Sequence, residues 1–227
     1  MAVNRYLRRT EFIRSDAPAI AGLARRLRRG GDRETAVALF EWVRDNIRYD
    51  PYDAADGRRS YRATAVLRRR HGYCVQKAVL LAALARAAGI PSRLGFADVR
   101  NHQASPRLRA IMGTDLFVFH GYVEFRLGRR WVKATPAFDP AASSRIGVLP
   151  VELDGTHDAM LHPVDPAGQP FIEYVRDRGP HDDLPFEEIR AALLAAYGPL
   201  PRLRRPTPPP PEGAAVTRAG RAARRAP

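Results

Sequence analysis

The stretch from His71 to Pro91, HGYCVQKAVLLAALARAAGIP, constrains this chain more than any other. Between Cys74 and the Gly89-Ile90-Pro91 stop, only Gln76, Lys77 and Arg86 are polar or charged. An α-helix that is apolar almost all round has to lie inside the core. Its N-terminus then opens in the middle of the domain, with unpaired N–H groups and the positive end of the helix dipole beside Cys74. Cys74 is the only cysteine in 227 residues, and such a field favours thiolate over thiol. A free cysteine is most often a small core hydrophobe. A place at a helix mouth, behind the turn-forming Gly72, points instead to a nucleophile.

A chain of this length, 45% hydrophobic, can bury one good core. A single domain is expected over residues 1–200, with its core at about 35–140. Residues 201–227 are rich in Pro, Ala and Arg without apolar periodicity, and a disordered tail is expected there. No apolar run approaches the roughly 20 residues that span a bilayer, and the first sixteen residues hold no stretch of signal-peptide length. A cytoplasmic protein without membrane contact is the expectation. One thiol excludes an intrachain disulfide and a zinc site built on several thiolates. No acidic cluster reads as a calcium loop, so neither metal nor cofactor is expected. The net charge is +14, yet the arginines are spread over helix faces without aromatic interleaving, which weighs against nucleic acid as a partner.

Before the cysteine the pattern is helical. Asp16 and Pro18 open a helix with Ile20, Leu23 and Leu27 on one face, and Gly30-Gly31 closes it. A second helix from Asp32 carries Val37, Phe40, Val43 and Ile47 and breaks at Asp50-Pro51. Thr64 is the expected N-cap of a short third helix. After Pro91 the period becomes two. A strand is expected through Val99, a long loop over residues 100–115, and a strand over 117–127 with His120, Tyr122 and Glu124 on one face. Gly128-Arg129-Arg130 turns the chain into a hairpin partner bearing Trp131. Residues 141–160 read as irregular, 171–175 as a short extended piece, and Asp183 and Pro185 open a last helix with Ile189, Leu193 and Tyr197. Helices followed by a largely antiparallel sheet make an α+β layout.

A thiol nucleophile needs a base, and histidine suits that near neutral pH. Among six histidines, His71 sits in the tight turn before the cysteine, and His102, His157, His162 and His181 fall in or beside irregular segments. His120 stands near the start of a strand, where a central helix end can meet it.

The runs GYCVQKAVLLAALARAAGIPSRLGF and HGYVEFRLGRRWVKATP resemble the core of the transglutaminase-like superfamily in its bacterial form, over about residues 35–140. The resemblance implies a papain-like cysteine fold, with a buried helix that begins at the cysteine packed on the sheet. It makes Cys74 the nucleophile and His120 the base, with His120 far closer in sequence than the papain proteases' roughly 130 residues. The family's strand ends Trp-x-x-x-Asp-Pro; here Trp131-Val132-Lys133-Ala134-Thr135-Pro136 sets Thr135 at the acidic position, and Asp139 follows. Because a carboxylate both orients an imidazole and stabilises its cation, Asp139 is the expected third member, with Thr135 as the alternative. The implied chemistry is acyl transfer on amides: hydrolysis of a peptide or protein amide, or transamidation. The Cys74 backbone N–H would serve as one oxyanion donor. The altered acidic position supports a second reading, a catalytically silent fold used for binding.

Overall fold

The buried helix organises the structure as its composition demands. The computed structural model describes residues 2–55 and 57–199; the expected tail lies outside the described residues. Three helices precede the cysteine: α1 (Pro18–Leu27), α2 (Asp32–Asn46) and α3 (Ala63–Arg69). Two short parallel strands, β1 (Arg48–Tyr49) and β2 (His71–Gly72), pair beside them and lead into α4 (Cys74–Ala87). Every residue of α4 from Cys74 to Arg86 is buried. Helices α1 to α3 pack against one side of α4, and strands β3 (Ser92–Asn101) and β4 (Leu116–Leu127) against the other.

The three polar residues of α4 are inside the core, each with its hydrogen bonds met. Gln76 Oε1 accepts from Tyr73 N–H at 3.2 Å, which caps the helix start. Lys77 Nζ donates to the carbonyls of Ile47 at 2.5 Å and Arg44 at 3.1 Å, where α2 ends. Arg86 donates to the carbonyls of Ser92, Arg8 and Asp182. Buried polar groups survive in a core only when paired in this way. The helix stops on a left-handed Gly89, with Gly89 N–H bonded to the Arg86 carbonyl and Ile90 N–H to that of Ala85. This Schellman closure is the structural content of the Gly-Ile-Pro signal.

The main sheet has the order β5-β4-β3-β6, antiparallel throughout, with β5 at Arg130–Ala134 and β6 at Ile172–His181. The expected hairpin over Gly128 is present. Two segments expected to be irregular contain helices. Ser105 accepts from Leu108 N–H and Pro106 follows it, opening α5 (Pro106–Met112), which a left-handed Gly113 closes. Asp139 accepts from Ala142 N–H and opens α6 (Pro140–Ile146). Helix α3 starts one residue before its expected cap, with no side-chain cap at Arg62. The extended piece expected at 171–175 continues as β6 to His181, because β3 offers it a partner along its whole length. The last helix, α7 (Phe186–Tyr197), buries Ile189, Leu193 and Tyr197 as its spacing requires.

Candidate active site

Cys74 is the first residue of α4, and His120 lies on β4 opposite Ala97 of β3. Both are buried, at 8% and 5% exposure. A glycine brings them together: a Cβ on Gly121 would stand 2.8 Å from the Val75 Cα, so only glycine lets β4 lie this close to the first turn of α4. The Gly121 N–H, next along the chain from His120, and the N–H groups of Val75 and Cys74 itself favour the thiolate form of Cys74.

The electrostatic expectation for the thiol is reversed. Burial pushes Cys74 up to about 11, although the three N–H groups and the Lys77 ammonium pull the other way. Desolvation of a charge outweighs the helix-end field here. Burial also pushes His120 down to about 4. Taken singly, each group rests in its neutral form.

Thr135 is the residue beside the His120 ring. His120 Nε2 and Thr135 Oγ1 lie 3.0 Å apart, and Thr135 is 1% exposed. Asp139, the residue expected beside the imidazole, has its carboxylate engaged elsewhere. Oδ2 accepts from Tyr49 N–H at 2.6 Å, and Oδ1 accepts from Ala142 N–H at 2.9 Å. Its charge also favours the Lys77 ammonium, which burial holds down to about 7. Asp139 therefore pins β1 to the start of α6, and the hydrogen-bond partner of His120 is the Thr135 hydroxyl.

Cys74 and His120 open into one cavity of about 270 Å³. Its walls are mainly apolar, with Val99, Leu108, Met112, Phe138, Leu161 and Leu193 among them; Asn101, Gln103 and Ser105 add polar atoms. Arg145 is the only formally charged side chain among the described lining residues. Tyr49 lines the cavity too, and its phenol is raised by burial and by the nearby Cys74 sulfur. Tyr174 of β6 sets its ring edge-on to His120, centroids 6.2 Å apart. Tyr174 has no signal in the sequence; Tyr49, one residue before the Asp50-Pro51 break, fits with Trp42 the opening of the family that the sequence resembles, without a site role read for it.

His71 bonds Asp53 at 2.6 Å, close to Asp50. These three residues could hold a metal ion by spacing, but the short His71–Asp53 hydrogen bond and Tyr52 N–H on Asp50 already use their atoms. His102 faces Glu173, and His157 faces Asp154.

The transglutaminase-like superfamily model matches residues 21–136, just over half of the chain, and the protein belongs to that family. Proteins with curated descriptions give no significant match. Among solved structures, the chain is similar to a candidate cysteine protease from Cytophaga hutchinsonii, with 18% identity and a TM-score of 0.48, covering 86% of this chain and 50% of that one. It is also similar to a candidate protease from Parabacteroides distasonis, with 16% identity and a TM-score of 0.37, covering 68% of this chain and 30% of that one. The chain thus spans half or less of the length of these structures. No helix among the described residues is long and apolar enough to cross a membrane.

Proposed function

We propose that the protein is a cysteine-dependent acyl transferase acting on amides, with Cys74 as nucleophile, His120 as base and Thr135 as the group that orients His120. The observation that carries this reading is the shared cavity. It holds the lone thiol at a buried helix N-terminus and the imidazole of the adjoining strand, whose far nitrogen is held by Thr135.

In the reaction, His120 Nδ1 takes the thiol proton as the Cys74 sulfur attacks the amide carbonyl carbon. Negative charge develops on the carbonyl oxygen, where the Cys74 N–H at the helix N-terminus donates. The imidazolium then protonates the departing amine, the C–N bond breaks, and an acyl thioester remains. Water, deprotonated by His120, releases the acid and restores the thiol; an amine in its place would give transamidation. An apolar cavity suits an acyl donor with an apolar side chain, because burial of such a chain supplies binding while a charged one loses its hydration.

The test is a library of peptide amides screened for release of acid and amine, with acyl-Cys74 trapped on acid quench and weighed by mass spectrometry. Turnover with an acyl adduct at Cys74, lost in Cys74→Ala and in His120→Ala, is the expected result. Turnover that survives Cys74→Ala would place the nucleophile elsewhere. The reading as a silent binding fold draws on one feature, that the His120 ring bonds the Thr135 hydroxyl and, among the described residues, no carboxylate. It predicts ligand binding in that cavity with no acyl adduct under any condition.

A further inference from the structure

Phe119, immediately before His120, has a left-handed backbone with φ of 55°. An aromatic residue adopts that conformation only when its surroundings impose it. The register shows how it arises. Ala97 pairs with His120 and Val99 with Phe117, so Val118 and Phe119 together face Asp98 alone. This is a β-bulge in β4. On the other side of β3, Phe96 pairs with Gly179 and Ala97 with Asp177, which leaves Arg178 as an extra residue in β6. The two irregularities are joined through the side chain of Asp98, which is 6% exposed.

Asp98 and Arg178 hold the kink from two sides. Asp98 Oδ1 accepts the Phe119 N–H at 3.0 Å. Arg178 donates through Nε to Oδ1 at 2.6 Å and through a terminal nitrogen to Oδ2 at 2.8 Å. Its guanidinium also lies over the Phe119 ring, 4.1 Å from the centroid. A bidentate guanidinium–carboxylate pair is geometrically demanding, and its position fixes the acceptor that Phe119 needs. The bulge in turn sets which way the strand presents His120, since an extra residue reverses the alternation of side chains along a strand.

We propose that Asp98 and Arg178 are positioning residues for His120: they clamp the left-handed Phe119 and so aim the imidazole at the end of α4. The inference rests on the reading of Cys74 and His120 as a reacting pair. Neither residue lines the cavity, so both act through the backbone of Phe119 without touching the substrate.

The experiment is a double-mutant cycle read by alkylation of Cys74 with iodoacetamide, the only cysteine and therefore the only site to be weighed. Arg178→Met, Arg178→Lys and Asp98→Asn are compared in the native background and in His120→Ala, and melting curves confirm that each is folded. Arg178 is on the edge strand and partly exposed, so its variants are the ones expected to fold. Arg178→Met should slow alkylation at pH 7 by about 10-fold or more when His120 is present, and by less than about 2-fold when it is absent, the non-additivity expected of coupled residues. Asp98→Asn, which keeps an acceptor for Phe119, should fall between Arg178→Met and the native protein. Equal losses in both backgrounds, or none in either, would overturn the positioning role. If His120→Ala alone leaves the rate unchanged, the Cys74–His120 pair itself fails and the clamp has nothing to aim. If His120→Ala slows alkylation but Arg178→Met does not, only the clamp is refuted.

Discussion

Thr135→Val is the substitution whose effect the geometry fixes best. Valine keeps the volume and branching of threonine but removes the hydroxyl 3.0 Å from His120 Nε2. Both residues are buried, so no bulk water replaces the lost partner. Leaving a buried polar group without its hydrogen bond costs about 1–3 kcal/mol. That cost falls mostly on the imidazolium that forms as Cys74 attacks, because a cation needs the partner more than a neutral ring does. At about 1.4 kcal/mol for each factor of ten, kcat should drop by roughly 5- to 150-fold, far less than the loss of about 10⁴ when a carboxylate is replaced in a serine triad. KM should hold, since Thr135 does not line the cavity. Asp139→Asn gives the contrast. An amide keeps one acceptor where the carboxylate now serves both Tyr49 and Ala142 N–H groups, so one is orphaned and the fold loses about 1–3 kcal/mol. The assays are kcat and KM on a cleaved peptide amide, thiol alkylation for both variants, and thermal melts. A native kcat in Thr135→Val, or a kcat loss per folded molecule larger in Asp139→Asn, would refute the assignment of the orienting role to the hydroxyl.

Gly121→Ala places a Cβ 2.8 Å from the Val75 backbone; the resulting shift between β4 and α4 should cut activity by about 10²-fold, the scale of a 1 Å misplacement, and a native rate would show that the strand and helix are not held at that spacing. His120 makes stability depend on acid: its pKa is about 4 in the fold against an ordinary 6.5, so the unfolded chain binds the proton first and stability is lost as pH falls from 6.5 toward 4. The integrated loss is on the order of 3 kcal/mol, and denaturant titrations of the native chain and His120→Gln should converge as pH drops through that window. For Lys77, held down from 10.5 to about 7 by burial, the unfolded chain binds more protons between those values and stability rises with pH across them. Lys77→Met should cost stability at pH 7 by orphaning the Ile47 and Arg44 carbonyls, and the native chain should gain on the variant from pH 7 to 9 in the same titrations.

What the sequence disclosed tracks how far each signal depends on long-range packing. Helix α4 was legible from end to end, because fourteen residues of nearly continuous apolarity and a Gly-Ile-Pro stop leave few other ways to bury them. Helices α5 and α6 were not, since seven residues carry only one or two buried apolar side chains each and show no period. Their caps were the remaining signal: Ser105 before Pro106 and Asp139 before Pro140. Asp139 reads in the sequence only as a carboxylate for an imidazolium; in the structure it caps α6 and accepts from Tyr49 N–H. The bulge at Phe119 had no signal, because neither Gly nor Asn marks the left-handed residue. Its cause, the Asp98–Arg178 pair, joins positions 80 residues apart.

In the proposed mechanism, the hydroxyl at position 135 and the neutral forms that burial favours for Cys74 and His120 belong together. A carboxylate at that position would favour the imidazolium and, with it, a thiolate–imidazolium pair before substrate arrives. Burial opposes the charge on His120, and it opposes the thiolate as well. Under that proposal charge separation is made during attack, when the developing oxyanion meets the N–H at the start of α4 and the proton passes to Nδ1. A threonine suits that sequence of events. Accepting from Nε2–H in the proposed mechanism, it would favour the tautomer whose Nδ1 lone pair can take the proton, and it adds no buried negative charge that would need compensation. The N–H groups around the sulfur and the Lys77 ammonium then act chiefly on the charged state reached in the reaction, lowering its cost without creating it beforehand. This is the arrangement in which interactions strengthen toward the transition state and so contribute to rate.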